Sequence, residues 1–394
     1  MLSKLRVQHY KSLFDTEVDL EPLTVFIGPN GSGKSNICEA LAVLSIFLKN
    51  LVFNIDAKKV INLFTLSLQS VTNSKASLES KFWQGKLDII LFEVTTLPSL
   101  IETNTLSKIS TSINYRNQQA SIDLPRHLIH NSNKISITDD SVSNLRQFLI
   151  ESKYFDSLVE NDLRGVSIYD FSPISLVNNT PADFMERSGQ GIAYALVDIL
   201  HSNREGFDEL EERFRQLVPN IKKILLPRGS VRDARNLSLS PRDFEARQNT
   251  FSLELIDKYS EHHIPASDIS DGTLRILAFL TALYQENTPS IICFEELENG
   301  VHPWLLSKMM ELLKIVSTEG ITGKPVQVLI TTHSPLLLNY VEPHQVRAVE
   351  LDEEGKTQVH ALPTDSVRFQ KALEAYDGSL GELWFTNIFG GNPQ

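Results

Sequence analysis

Residues 4–27 alternate apolar and polar side chains and end in the apolar run "LTVFIG", a pattern that predicts two or three strands with the last one buried. "KSNICEALAVLSIFLKN" then repeats apolar residues at helical spacing and predicts a helix starting at the preceding glycine-rich loop. Further along, "GQGIAYALVDILHSNREGFDELEERFRQLVP" reads as one long helical region and "TFSLELID" as a strand. "DGTLRILAFLTALYQEN" reads as a helix, "SIICFEE" as a buried strand, "VHPWLLSKMMELLKIVST" as a helix and "VQVLITTHSP" as another buried strand. Strands alternating with helices predict an α/β domain with a mainly parallel sheet. Between these parts, residues 66–145 are rich in Ser, Thr and Asn, with "KLDIILFEV" and "ISTSINYRN" as strands and "VSNLRQFLIESKYFDSLVE" as a helix. The expected organisation is a split head, 1–48 and 180–394, around an inserted lobe, 49–179. No internal repeat is visible.

Composition narrows the class. A chain of 394 residues has room for one large domain with an insertion or for two domains. The net charge of −12 argues against a surface basic all over. It leaves room for a local patch: Lys222, Lys223, Arg228, Arg232, Arg235, Arg242 and Arg247 crowd residues 221–248. That stretch could track DNA phosphates, dock an acidic partner or lie as a solvated loop. Cys38 and Cys293 sit in apolar stretches with no framework of other cysteines, which suits a reducing cytoplasm. The N-terminus lacks the apolar core of a signal peptide, and the most apolar windows are short or carry charge, so no membrane span is expected. His262 and His263 lack metal-ligand spacing and read as a turn. Phe294 and Trp304 read as core.

Four short motifs carry the chemistry. Gly28, Gly33, Lys34 and Ser35 complete G-x-x-x-x-G-K-[ST] between a strand and a helix. Such a loop turns its N–H groups toward phosphate oxygens and adds the positive end of the following helix. Lys34 would reach the β- and γ-phosphates, and Ser35 would ligate Mg²⁺. The second motif, "SIICFEELENGVHP", delivers Glu295 and Glu296 at the C-terminal end of a buried strand. Ligands of open α/β sheets bind at that end. Glu295 would face the metal and Glu296 the attacking water. The third, "VLITTHSP", places His333 after another buried strand, where it could meet the γ-phosphate or the water. In the fourth, Ser270, Asp271 and Gly272 precede a helix. They could simply cap it, or bind a γ-phosphate at its N-terminus, supplied from a second subunit.

Taken together and in this order, the motifs resemble the ABC-type ATPase heads of the SMC and RecF group, and most closely those of OLD-family proteins and related stand-alone ATPases. "GPNGSGKS" resembles their Walker A motif, "SDGTLRIL" their signature motif, "FEELENGVHP" their Walker B motif and D-loop, and "TTHSP" their switch-histidine loop. The opening "LRVQHYKSLFDTEVDL" is similar to the group's first hairpin. The resemblance implies a P-loop α/β head with a mainly parallel central sheet, N-terminal antiparallel strands and an inserted α+β lobe. It implies ATP and Mg²⁺ as ligands, held by Asn30, Gly31, Ser32, Gly33, Lys34, Ser35 and Asn36 with Glu295. It also implies a dimer closed head to tail on two ATP molecules, Ser270, Asp271 and Gly272 being given by the partner. Leu297 stands where Pro usually follows the two acids, and His302 where transport ATPases carry the D-loop Asp. No Q-loop is placed by the motifs; Gln84 in "KFWQGKLDI" is a candidate. OLD nucleases carry a TOPRIM domain after the head, and the roughly 40 residues beyond Glu350 are too few for one. A separate effector, nuclease-like, is therefore expected, in antiphage defence or DNA maintenance. A transporter ATPase, a non-hydrolysing scaffold and a RecF-like loader that binds DNA itself remain open.

Overall fold

The structure is a computed structural model that describes residues 1–53, 89–96, 107–114, 119–123, 134–137, 165–178, 181–182, 184–228, 250–285, 288–321 and 323–390. Gln84, the helix expected over "VSNLRQFLIESKYFDSLVE", and Arg232, Arg235, Arg242 and Arg247 lie outside the described residues. In chain order the described elements are β1 (Leu2–Tyr10), β2 (Leu13–Asp19), β3 (Leu23–Ile27), α1 (Lys34–Phe53), β4 (Ile89–Thr96), β5 (Ser107–Asn114), β6 (Gln119–Asp123), β7 (Lys134–Ile137), β8 (Val166–Tyr169) and α2 (Pro173–Val177). There follow α3 (Ile192–Ser202), α4 (Arg204–Leu217), β9 (Ile221–Leu225), β10 (Glu254–Asp257), β11 (His263–Pro265), α5 (Asp271–Tyr284), β12 (Ile291–Glu295) and α6 (Pro303–Thr318). The chain ends with β13 (Gln327–Thr332), α7 (Pro335–Leu338), β14 (Val346–Leu351), β15 (Thr357–Ala361), α8 (Val367–Ala375) and α9 (Leu380–Phe385).

The chain divides into two compact units: residues 1–168, 289–296 and 312–394 in one, residues 169–288 and 297–311 in the other. The first unit holds a six-stranded sheet in the order β15-β14-β3-β13-β12-β8. β14, β3, β13 and β12 run parallel, and β15 returns antiparallel on β14. Every residue of β3, β12 and β13 is buried, as continuous apolar runs in a parallel sheet require. α1 is equally dry, buried on all sides over residues 37–45, with Ile37, Cys38, Leu41, Val43 and Phe47 inaccessible.

A second sheet of this unit, β2-β1-β4-β5-β6-β7, is antiparallel. The segment expected as an inserted lobe thus contributes β4 to β7 to the sheet begun by the N-terminal hairpin. The two sheets are tied by Gln327, fully buried on β13. Its amide exchanges two bonds with Leu2 of β1 (Leu2 N donates to Oε1 at 2.9 Å, Nε2 donates to Leu2 O at 2.7 Å), and Nε2 also donates to Glu21 O at 3.0 Å. Leucine at position 327 would leave those backbone groups unsatisfied in a dry site, so Gln327→Leu is expected to destabilise the fold by about 3 kcal/mol. Urea unfolding should then show a lower midpoint at unchanged m-value.

In the second unit β11-β10-β9 form a small antiparallel sheet. The stretch expected as one long helical region is two helices. Asn203 breaks it: its side chain accepts from Gly206 N at 2.9 Å as N-cap of α4, while its own N–H closes α3 on Ile199 O. The turn expected at His262 and His263 is the hairpin into β11, whose Ile264 pairs with Leu255 and whose His263 Nδ1 lies 3.1 Å from Glu254 Oε2. Phe294 is core, but Trp304 is 51% exposed, because it occupies the first turn of α6, where the helix begins in solvent.

Candidate nucleotide site

β3, β13 and β12 are in register, so Phe26, Thr331 and Glu295 lie side by side across three strands. The residues that follow each strand therefore leave the sheet at one edge: Gly28 after β3, His333 after β13, Glu296 after β12. This is the carboxyl edge, where a parallel sheet offers strand ends to a ligand.

The loop after β3 is shaped by its glycines. Gly31 and Gly33 have φ of 79° and 101°, a left-handed backbone that favours glycine. Gly28 and Gly33 are needed for space as well: a Cβ on Gly28 would lie 2.0 Å from Val349 O, and one on Gly33 would lie 2.0 Å from Thr357 Oγ1. Asn30 and Gly31 are exposed at the tip, while Ser32 and Lys34 are buried. Lys34 Nζ donates to Gly28 O and Pro29 O, each at 2.8 Å, so the ammonium is folded back over the loop it would serve. Ser32 Oγ is buried without a hydrogen-bond partner among the described residues. A buried hydroxyl left so costs about 1–3 kcal/mol, an expense that a phosphate oxygen would remove.

The acid pair after β12 separates in direction. Glu295 ends the strand and is buried. Glu296 takes a left-handed backbone, φ 48°, with its N–H donating to Thr331 O at 2.9 Å. A non-glycine residue held there stores about 1–2 kcal/mol of strain. The kink turns consecutive carboxylates to different surroundings. Glu296 Oε1 comes 3.5 Å from His333 Nδ1, both side chains about two-fifths exposed. The sequence motifs at 28–35, 295–296 and 333 are thus brought to one edge.

The fourth motif lies in the other compact unit, at the N-terminus of α5. Ser270 caps this helix, its Oγ accepting from Thr273 N at 3.3 Å. Ser270 and Asp271 are exposed. Gly272 packs against the turn before α6, where a Cβ would meet Gly300 O at 2.6 Å. His302 Nδ1 in that turn accepts from Trp304 N at 3.2 Å and so caps α6.

The family described as "AAA domain, putative AbiEii toxin, Type IV TA system" matches residues 23–339, a span that begins at β3 and ends just past the His333 loop. The chain belongs to this AAA family. Among solved structures it is similar to an SMC head bound to the C-terminal winged-helix domain of ScpA, at 13% identity and a TM-score of 0.55, with 93% of this chain and 99% of that one covered. It is also similar to an SMC head with an extended coiled coil bound to the C-terminal domain of ScpA from Pyrococcus furiosus, at 13% identity and a TM-score of 0.52, with 95% and 99% covered. The fold of this AAA protein is accordingly that of the SMC-type ATPase head.

One set of contacts in the AAA protein has no motif to announce it. Thr357, at the start of β15, donates from Oγ1 to Ser32 O at 3.0 Å and lies 2.7 Å from Ser12 Oγ in the β1–β2 turn. Asn36 Nδ2 donates to the same Ser12 Oγ at 2.8 Å, so this residue faces the hairpin rather than the loop's mouth. Ser12 and Thr357 brace the phosphate loop from behind. Thr357→Val keeps the shape and removes the hydroxyl, and is expected to weaken ATP binding about tenfold, the equivalent of one to two hydrogen bonds. Thr357→Ser should bind like the parent. A fluorescent-nucleotide titration of the three proteins decides it, and equal affinities would dismiss the brace.

Proposed function

We propose that the chain is a Mg²⁺-dependent ATPase whose hydrolysis centre is the Glu296–His333 pair beside the 28–35 loop. The observation that carries this reading is their common origin at one sheet edge: phosphate loop, carboxylate and histidine leave neighbouring parallel strands in register. Loop N–H groups, Lys34 and the start of α1 would hold the triphosphate. Ser35 and Glu295 would hold Mg²⁺, which supplies Lewis-acid stabilisation of the γ-phosphoryl charge when bound. The fit rests on the buried Ser32 hydroxyl and on the left-handed turn at Gly31 and Gly33 that closes the loop between strand and helix. Glu296 accepts a proton from the attacking water, and His333 orients Glu296 or contacts the γ-phosphate. Positioning and electrostatics supply most of the rate in such a site.

The nucleotide would also join two copies. Ser270 and Asp271 are solvent-facing at a helix N-terminus, and the exposed Trp304 stands near the start of α6 in the same unit. A second chain's γ-phosphate fits such a helix end. Closing and opening of this dimer would switch an effector, nuclease-like, in antiphage defence or DNA maintenance. The two SMC heads bound to ScpA support a protein that works with a second polypeptide. No helix among the described residues is long and apolar enough to cross a membrane. Lys222 is paired with Glu261, which reduces what this part of the 221–248 stretch has to offer DNA.

Sedimentation of the Glu296→Gln protein tests the dimer. Mg²⁺-ATP is expected to double the sedimenting mass, and Ser270→Arg, which would crowd the partner's phosphate, to prevent it. An unchanged mass with ATP bound rejects the sandwich and leaves nucleotide binding intact.

A further inference from the structure

His333 stands on a backbone held from both sides. Ahead of it β13 ends at Thr332, whose Oγ1 accepts from Ser334 N at 2.9 Å. Behind it Pro335 opens α7, and α7 is seated on α9. Asn339 Oδ1, at the end of α7, accepts from Gly381 N at 2.9 Å and lies 3.1 Å from Ser379 Oγ. The seat is tight. A Cβ at position 381 would come within 2.4 Å of Pro335 O and 3.0 Å of Asn339 Oδ1. Gly381 has no left-handed φ, so the glycine is there for the close approach alone. α9 itself is anchored: Ser379 caps it by accepting from Glu382 N, and Leu380, Leu383 and Trp384 are buried.

We propose that Gly381 and Asn339 are positioning residues for His333, so that the C-terminal helix α9 sets where the histidine stands relative to Glu296. Only Ser334 separates His333 from the residue whose carbonyl presses on Gly381. A catalytic side chain must be held within about 0.5 Å of its productive place, and a shift of about 1 Å costs on the order of a hundredfold in rate. A contact two residues away therefore reaches turnover without touching nucleotide. The inference rests on the reading of His333 as part of the hydrolysis centre.

The test is a cycle of variants read by steady-state ATPase rate and by ATP affinity. Gly381→Ala and Asn339→Leu are expected to lower kcat about tenfold with ATP affinity unchanged. Asn339→Asp, which still accepts from Gly381 N, should restore most of the rate. In a His333→Ala background, Gly381→Ala should have no further effect. A further tenfold loss in that background overturns the coupling and leaves the role of His333 standing. A loss of ATP affinity in step with kcat also overturns it, since that marks general disruption. A His333→Ala protein that turns over like the parent removes both the role of His333 and this inference.

Discussion

Glu296→Gln is expected to lower ATP turnover by about a hundredfold to a thousandfold while leaving ATP affinity within a factor of two. A positioned general base is worth roughly 10²–10⁴ in rate, and the amide keeps the carboxylate's shape while losing its basicity. The left-handed backbone at Glu296 aims this side chain away from the buried Glu295 and toward His333, 3.5 Å from it. Removing the charge also removes repulsion between carboxylate and γ-phosphate, so binding should hold or tighten. Single-turnover measurement with radiolabelled ATP separates the two quantities. Turnover equal to the parent's would take Glu296 out of the mechanism, whereas no turnover by the parent itself would leave ATP as an assembly ligand, the behaviour of a scaffold.

Lys34→Ala is expected to weaken ATP binding about a hundredfold, and turnover at subsaturating ATP with it. Lys34 is the cation of the loop, buried, with its ammonium on Gly28 O and Pro29 O. Exchanging those carbonyls for phosphate oxygens makes charge-assisted bonds worth about 1.5–3 kcal/mol each. What the neutral carbonyls do not offer is the opposite charge of the phosphate, worth about 4 kcal/mol at about 4 Å near a protein surface; about 3 kcal/mol of this kept net is a hundredfold, since 1.4 kcal/mol is tenfold. Calorimetric titration with a non-hydrolysable analogue gives the number. An affinity within threefold of the parent's would mean that Lys34 does not reach the phosphates. The double variant should bind like Lys34→Ala and turn over no faster than Glu296→Gln, because the two residues act on different steps.

The strands and helices around the site were legible because each is a strong local pattern. "SIICFEE" and "VQVLITTHSP" are apolar runs with a polar residue at the end, and they are β12 and β13 with the acids and His333 at their tips. The break at Asn203 was less legible, since apolar periodicity runs on through both helices and only the cap divides them. Trp304 was misjudged because a bulky apolar residue beside a proline carries no sign of which side of the helix faces water. The strands β14 and β15 and the helices α7 to α9 have no chemical motif to draw attention to them, yet they hold Thr357, Asn339 and Gly381.

What the sequence determined by itself is therefore a set of places: a glycine-rich loop between a strand and a helix, and the acids and the histidine that end the buried strands, all in an α/β sheet. Each of those signals is local, written within about ten residues. Only the tertiary structure decided how the parts are held. Thr357 reaches Ser32 across 325 positions, Leu2 pairs with Gln327 across the same separation, and β1 recruits β4 from beyond the first helix. No periodicity encodes such pairings, because they depend on how the sheets come together and on the room a missing side chain leaves at Gly33 and Gly381.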